Sequence, residues 1–159
     1  MPLKMSMMVK YLLSVWLLVS FAAADVLTGK VVRVIDGDTV VLLTAGNKQE
    51  RIRLNDIDAP EKGQPYSEAS RIFLSDMIAG KTVRVEYKGR DRYRRILGTI
   101  FIGGKNVNEE MVRAGLAWKY QNSRNKRIAE LEAEAKRKRL NIFSERNTVS
   151  PYDYRRGKR

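Results

Sequence analysis

Three short clusters hold the residues able to do chemistry: Asp36-Gly37-Asp38-Thr39, then Arg53 with Asp58-Ala59-Pro60-Glu61, then Arg95. The chain contains no His and no Cys. That excludes imidazole proton transfer, thiol nucleophiles and soft-metal sites, and leaves carboxylates, Arg, Lys, Tyr and hydroxyls. Asp38 and Asp58 fall at opposite ends of an expected antiparallel meander, and such ends can meet. Two carboxylates converging from different strands suit a hard divalent cation, with backbone carbonyls and water in the remaining positions. Glu61 follows Asp58 across Ala59-Pro60, a stiff link that fixes the two acids relative to each other and keeps Glu61 near enough to handle a water molecule. Arg53 and Arg95 carry planar forks that match phosphate oxygens and could neutralise the charge of a five-coordinate transition state. Each feature also has a plainer reading. Asp-Gly is a common hairpin turn, Glu61 could be a solvated loop or helix-entry residue, and an isolated Arg is most often an exposed cation.

The elements that must position these residues are legible in the patterning. Val31, Val32, Val34 and Ile35 read as a strand that turns at Asp36-Gly37,. Thr39 to Leu43 is the return strand, Ala45 to Lys48 the next turn, and Gln49 to Leu54 an alternating third strand. The period then changes. A helix is expected over Ser67 to Ala79, capped by Ser67 and ended by Gly80, with Ala69, Ile72, Phe73 and Met77 on its inner face. Strands follow at Thr82 to Tyr87 and Ile96 to Ile102, separated by a charged loop from Lys88 to Arg95. A second helix begins with Asn108 as its cap and ends near Gly115. A third runs from about Arg124 to Arg139, with Ile128, Leu131 and Ala135 inward and its basic residues last, as the helix dipole prefers. Five strands and three helices in the order β-β-β-α-β-β-α-α predict an α+β domain, a small five-stranded barrel of the oligonucleotide-binding type with packed helices.

The flanks read differently. Lys4 and Lys10 precede an uncharged run from Tyr11 to Phe21, and Ala22-Ala23-Ala24 follows. This is the pattern of a secretory signal over residues 1–24, too short for a comfortable membrane span. The expected product is a secreted or periplasmic domain over residues 25–145, without stable membrane association and held without disulfides. Residues 146–159 read as a basic, flexible tail, since apolar residues thin out from Ser144 onward. The whole chain carries a net charge of +13, and without the leader's two lysines the remainder carries +11. A body so basic points to polyanion binding.

Several ordered motifs together resemble the thermonuclease family, the staphylococcal or micrococcal nucleases. They are Val34-Ile35-Asp36-Gly37-Asp38-Thr39, Arg53 through Asp58-Ala59-Pro60-Glu61, Asp91-Arg92-Tyr93-Arg94-Arg95, Val107-Asn108-Glu109, Val112 to Ala117, and Leu140 to Glu145. The resemblance implies a Ca2+-dependent phosphodiesterase acting on DNA and RNA, monomeric and without a small-molecule cofactor, that leaves 3′-phosphate ends. It implies Asp38, Asp58 and the Ala59 carbonyl as calcium ligands, with Asp36 supporting them through water. Glu61 matches the general base, and Arg53 and Arg95 match the phosphate-binding arginines. Arg92 and Tyr93 match nucleotide contacts, and Tyr120 lies near a base-stacking surface. The loop departs from the family pattern at Arg94, where Gly is usual; a left-handed turn there would strain a side chain by about 1–2 kcal/mol. Asp56 also replaces a frequent Gly, and is read as a turn residue. The rival reading is a non-catalytic nucleic-acid-binding module of the same fold.

Overall fold

A computed structural model describes residues 23–158. The expected leader, residues 1–24, lies outside them except for Ala23 and Ala24. Among the described residues are eight strands: β1 (Asp25–Asp36), β2 (Thr39–Thr44), β3 (Lys48–Leu54), β4 (Ile57–Asp58), β5 (Thr82–Arg90), β6 (Ile96–Ile102), β7 (Lys105–Asn106) and β8 (Trp118–Lys119). Four helices accompany them: α1 (Ser67–Ile78), α2 (Val107–Arg113), α3 (Lys126–Arg137) and α4 (Pro151–Arg155).

The five long strands close on themselves. Antiparallel neighbours run β3-β2-β1-β5-β6, and β3 then pairs with β6 in parallel, Ile52 opposite Ile96 and Leu54 opposite Gly98. A five-stranded barrel with helices against it is the α+β architecture expected from the sequence. Closure removes the exposed sheet edges that would otherwise remain at β3 and β6. Alternate residues point inward, so Val40 and Leu42, Ile52 and Leu54, Val83 and Val85, and Ile96 and Ile100 form one buried core,. Met111 and Val112 from α2, Leu74 and Ile78 from α1, and Ile128 and Leu131 from α3 complete it.

Several local expectations change. The buried face of α1 is Ser70, Leu74 and Ile78; Ile72 stays 45% exposed and Ala69 is exposed. Ser70 is tolerated inside because its hydroxyl donates to the Leu116 carbonyl at 2.8 Å,. The residue before α1 is Tyr66 at φ +67, and no side chain caps the helix. For α2 the cap is Asn106, whose side chain accepts from Glu109 N, rather than Asn108. Asn108 lies inside the helix and is buried, with a different task.

The expected basic tail also carries structure. Ser150 caps α4 by accepting from Asp153 N, Pro151 is buried at its first turn, and Gln64 Nε2 donates to the Val149 carbonyl at 2.9 Å. Proline at a first helical position has a preset φ and lacks an N–H that would go unpaired there anyway. No helix among the described residues is long and apolar enough to cross a membrane.

Candidate active site

The β1–β2 hairpin and the β3–β4 segment build the acidic centre together. Thr39 pairs with Arg53, and Leu54 N donates to the Asp38 carbonyl at 2.8 Å, which brings the start of β2 beside the end of β3. The link from β1 to β2 is Gly37-Asp38, and Gly37 is needed for room. A Cβ there would lie 1.9 Å from Ser70 Oγ and 2.8 Å from Ala59 Cβ. The turn is thus pressed against α1 and the Asp58–Ala59 segment. On the other side β4 pairs with β8, Asp58 opposite Trp118.

Asp38 and Asp58 are buried, 6% and 4% exposed, and both meet one nitrogen. Arg53 Nη2 lies 3.2 Å from Asp38 Oδ2 and 3.1 Å from Asp58 Oδ1. Its Nη1 donates to the carbonyls of Leu54 and Ile57 at 2.7 and 2.9 Å. Arg53 is therefore locked by three hydrogen bonds and an ion pair to Asp38, and holds the two carboxylates together. Asp38 is further fixed by the Ala59 N–H, 2.7 Å from Oδ2, and by Thr39 Oγ1, 3.0 Å from Oδ1. Asp36 stands behind it, accepting from the Asp38 N–H at 3.0 Å. Glu61 is partly exposed at the rim; its backbone N–H donates to Gln64 Oε1 at 2.8 Å.

Burial pushes the Asp38 carboxyl up to about 6; Asp36 adds to the rise, and Arg53 and the Ala59 N–H oppose it. The sign of the linkage follows. A carboxyl raised in the fold favours folding below its ordinary value of 3.8, and that advantage is lost as pH rises through about 6,. At pH 8 the folded protein without a cation holds a poorly solvated charge. Asp38→Asn is accordingly expected to stabilise the cation-free protein at pH 8 by about 1–3 kcal/mol, with little gain at pH 4. Urea unfolding at the two pH values checks this, and equal effects at both would contradict it.

Arg95 sits apart from these acids in its contacts. Its Nε pairs with Asp91 Oδ2 at 2.7 Å, while Asp91 Oδ1 accepts from the backbone N–H groups of Tyr93 and Arg95 at 2.9 and 3.0 Å. Asp91 thus scaffolds the loop and holds Arg95 within it. Arg92 donates to Tyr93 Oη at 2.7 Å and stacks 4.8 Å from the ring centre; Tyr93 is 64% exposed. Arg94 has φ +63, the left-handed conformation anticipated from the sequence. Arg94→Gly should therefore raise stability by about 1 kcal/mol, read as a later urea midpoint; an earlier one would mean the side chain stabilises the loop.

Tyr120 is partly exposed beyond β8, with its N–H on the Asp56 carbonyl at 2.8 Å. Asp56 has φ +65, and its carboxylate accepts from Ser123 Oγ at 2.6 Å and Asn125 Nδ2 at 3.2 Å. It is a turn residue that ties the β3–β4 turn to the start of α3.

One residue at the site escaped the sequence reading. Arg155 of α4 forms a two-pronged pair with Asp58, Nη1 to Oδ1 at 3.2 Å and Nη2 to Oδ2 at 2.9 Å, and its Nη1 also donates to Glu61 Oε1. The signal that could have found it is Ser150-Pro151-Tyr152-Asp153, a capped helix start with Pro at the first position.

The donor set fits a hard cation. Two buried carboxylates converge on a point already occupied by guanidinium charge, and the nearby main chain offers carbonyl oxygens. Among the described residues no group of three or more acidic side chains is arranged to enclose a metal, so such an ion would draw on two side chains and otherwise on backbone and water.

Comparison with known proteins agrees with this geometry. Residues 51–145 match the family described as Staphylococcal nuclease homologue. An uncharacterized endonuclease of Haemophilus influenzae is 38% identical over 146 residues, covering 91% of this chain and 82% of its own. A second protein so described, from Escherichia coli, is 45% identical over 132 residues, covering 82% and 86%. A micrococcal nuclease of Shigella flexneri is 39% identical over 156 residues, covering 90% and 88%. On these matches and the closed barrel beneath them, the chain belongs to the staphylococcal nuclease homologue family.

Proposed function

We propose that this nuclease is an exported, Ca2+-dependent enzyme that hydrolyses phosphodiester bonds in DNA and RNA with low sequence specificity. The observation that carries the reading is the pair of buried carboxylates, Asp38 and Asp58, gathered on one Arg53 nitrogen with Glu61 at the rim beside them. Asp38, Asp58 and the Ala59 carbonyl would hold the calcium ion. When bound, the ion supplies Lewis-acid polarisation of the phosphate and orientation of the attacking water.

The chain's own groups do the rest. Glu61 accepts the proton of the water as its oxygen attacks phosphorus, the P–O5′ bond breaks, and the leaving 5′-oxygen takes a proton from solvent, leaving a 3′-phosphate end. Arg53, already fixed by three hydrogen bonds and its ion pair with Asp38, presents charge beside the phosphate without reorganisation in the reaction. Arg95 joins by exchanging its pair with Asp91 for the phosphate oxygens. Arg92 and Tyr93 on the same loop, and Tyr120 beyond β8, contact the nucleotide chain. Contacts of this kind address backbone and base faces rather than base edges, hence the low specificity. Residues 1–24 direct export, and the folded product works as a monomer.

Digestion of supercoiled plasmid and of RNA by the purified protein tests the reading. Cleavage is expected with Ca2+ and not with excess chelator. Binding without cleavage in Ca2+, Mg2+ and Mn2+ would favour the non-catalytic module instead.

A further inference from the structure

Arg155 reaches the acidic centre from the far end of the chain. Its two-pronged pair takes both oxygens of Asp58, and the same guanidinium takes Glu61 Oε1. Asp58 Oδ1 is already shared with Arg53. The positive charge therefore sits against the carboxylates that would bind the calcium ion and receive the proton.

We propose that α4 is an intramolecular cap, in which Arg155 stands in for the catalytic cation and must leave before calcium binds. This inference rests on the cation site of the proposed function.

The physical case has two parts, the strength of the plug and the weakness of its mooring. A bidentate guanidinium–carboxylate pair is among the stronger ion pairs a protein forms. Here it also relieves Asp58, a buried carboxylate, of part of the cost of burial. A divalent ion needs an oxygen of Asp58, and Arg155 takes both of them, so the guanidinium and the ion compete for the same ligand.

The mooring is slight. The helix spans five residues, Pro151–Arg155, too short to persist alone in water. Besides the ion pairs, it is held by buried Pro151, by half-buried Tyr152 and Tyr154, and by the Gln64 bond to the Val149 carbonyl. Between this segment and the body lies a cavity of about 480 Å³ lined by Tyr66, Trp118, Val149 and Tyr154 among others. The cap thus spans a hollow of the body, and beneath it the packing is incomplete. Such a segment opens locally at low cost.

The tail also has somewhere to go. Arg155, Arg156 and Lys158 are cations within four positions, and a polyanion offers them phosphates in place of Asp58 and Glu61. Substrate and calcium would then open the cap together, the polyanion drawing the arginine out as the metal takes its seat.

Calorimetric titration of the full chain with Ca2+ alone tests this, comparing wild type, Arg155→Gln, Arg156→Gln and Asp58→Asn. Arg155→Gln is expected to bind Ca2+ at least about fivefold more tightly, the scale of releasing one half-exposed bidentate pair. Arg156 pairs with Tyr152 Oη at 2.6 Å and not with the acids, so its substitution should leave the affinity unchanged. Asp58→Asn should abolish binding. In wild type, Ca2+ should also speed amide exchange of Tyr154, Arg156 and Gly157, whose N–H groups bond within the cap. Equal tightening in both arginine variants would overturn the proposal, since tail charge in general would explain it. So would Ca2+ binding with no change in Arg155→Gln affinity or in amide exchange; that result would leave the cation site standing. Absence of Ca2+ binding in every variant would remove the cation site and the cap together.

Discussion

Glu61→Gln is expected to lower turnover on DNA by at least about 10²-fold, the lower bound for losing a positioned proton acceptor. Gln keeps the length and shape of Glu but cannot take a proton. Little of the fold depends on the side-chain charge, because the backbone N–H of residue 61 remains on Gln64 Oε1 and the side chain is partly exposed, 39%. The urea midpoint should therefore move little while kcat collapses, and Ca2+ affinity should rise somewhat, because the Arg155 pair with Glu61 is lost. Arg53→Lys should behave differently. A lysine ammonium cannot reach two carbonyls and two carboxylates with the fork geometry of Arg53,. Both stability and kcat should fall, as the two buried acids lose the group that joins them. Side-by-side melts and steady-state rates separate the roles. If Glu61→Gln retained more than a tenth of wild-type kcat, Glu61 would not be the base.

The parts of the site legible in the sequence are those fixed by local pattern. Asp38 and Asp58 could be brought together because strand alternation and short turns define an antiparallel meander, and the register delivers it through Thr39 opposite Arg53. The left-handed turn at Arg94 was readable only through the family resemblance, whose pattern has Gly there. What the pattern could not carry depends on contacts between distant segments. Gly37 reads as a turn former, yet its backbone lies outside the positive-φ region and its lack of a Cβ serves close packing on Ser70 and Ala59. The inner face of α1 was half legible: Phe73 and Met77 do pack against the core, but Ser70 is polar, and its burial rests on one carbonyl 46 positions away. Arg155 was hidden for the same reason. A basic tail looks solvated until a buried carboxylate elsewhere gives one of its arginines a partner.

Asn108→Ala is expected to cost about 3 kcal/mol or more of folding stability. The residue looks like a helix cap and is instead a buried junction, 2% exposed. Its Oδ1 accepts from Ile100 N at 3.1 Å, and its Nδ2 donates to the carbonyls of Asn55 and Gly98 at 2.9 and 3.1 Å. One amide therefore joins α2 to strand β6 and to the turn that leads into Asp58. Ala removes three hydrogen bonds and leaves a space in which the freed backbone groups are short of partners. Asp is no remedy. It can still accept from Ile100, but when ionised it sets a negative oxygen against two carbonyls, so Asn108→Asp should be more destabilising at pH 8 than at pH 3. The turn from Asn55 to Asp58 would loosen even in the molecules that remain folded, since the Nδ2 bond is one of the ties on that turn. Ca2+ affinity should then fall in Asn108→Ala although no calcium ligand has changed. Urea unfolding and Ca2+ titration measure the two effects separately. A loss of less than about 1 kcal/mol would mean that water replaces the amide at little cost, and that the turn holds Asp58 without help from α2.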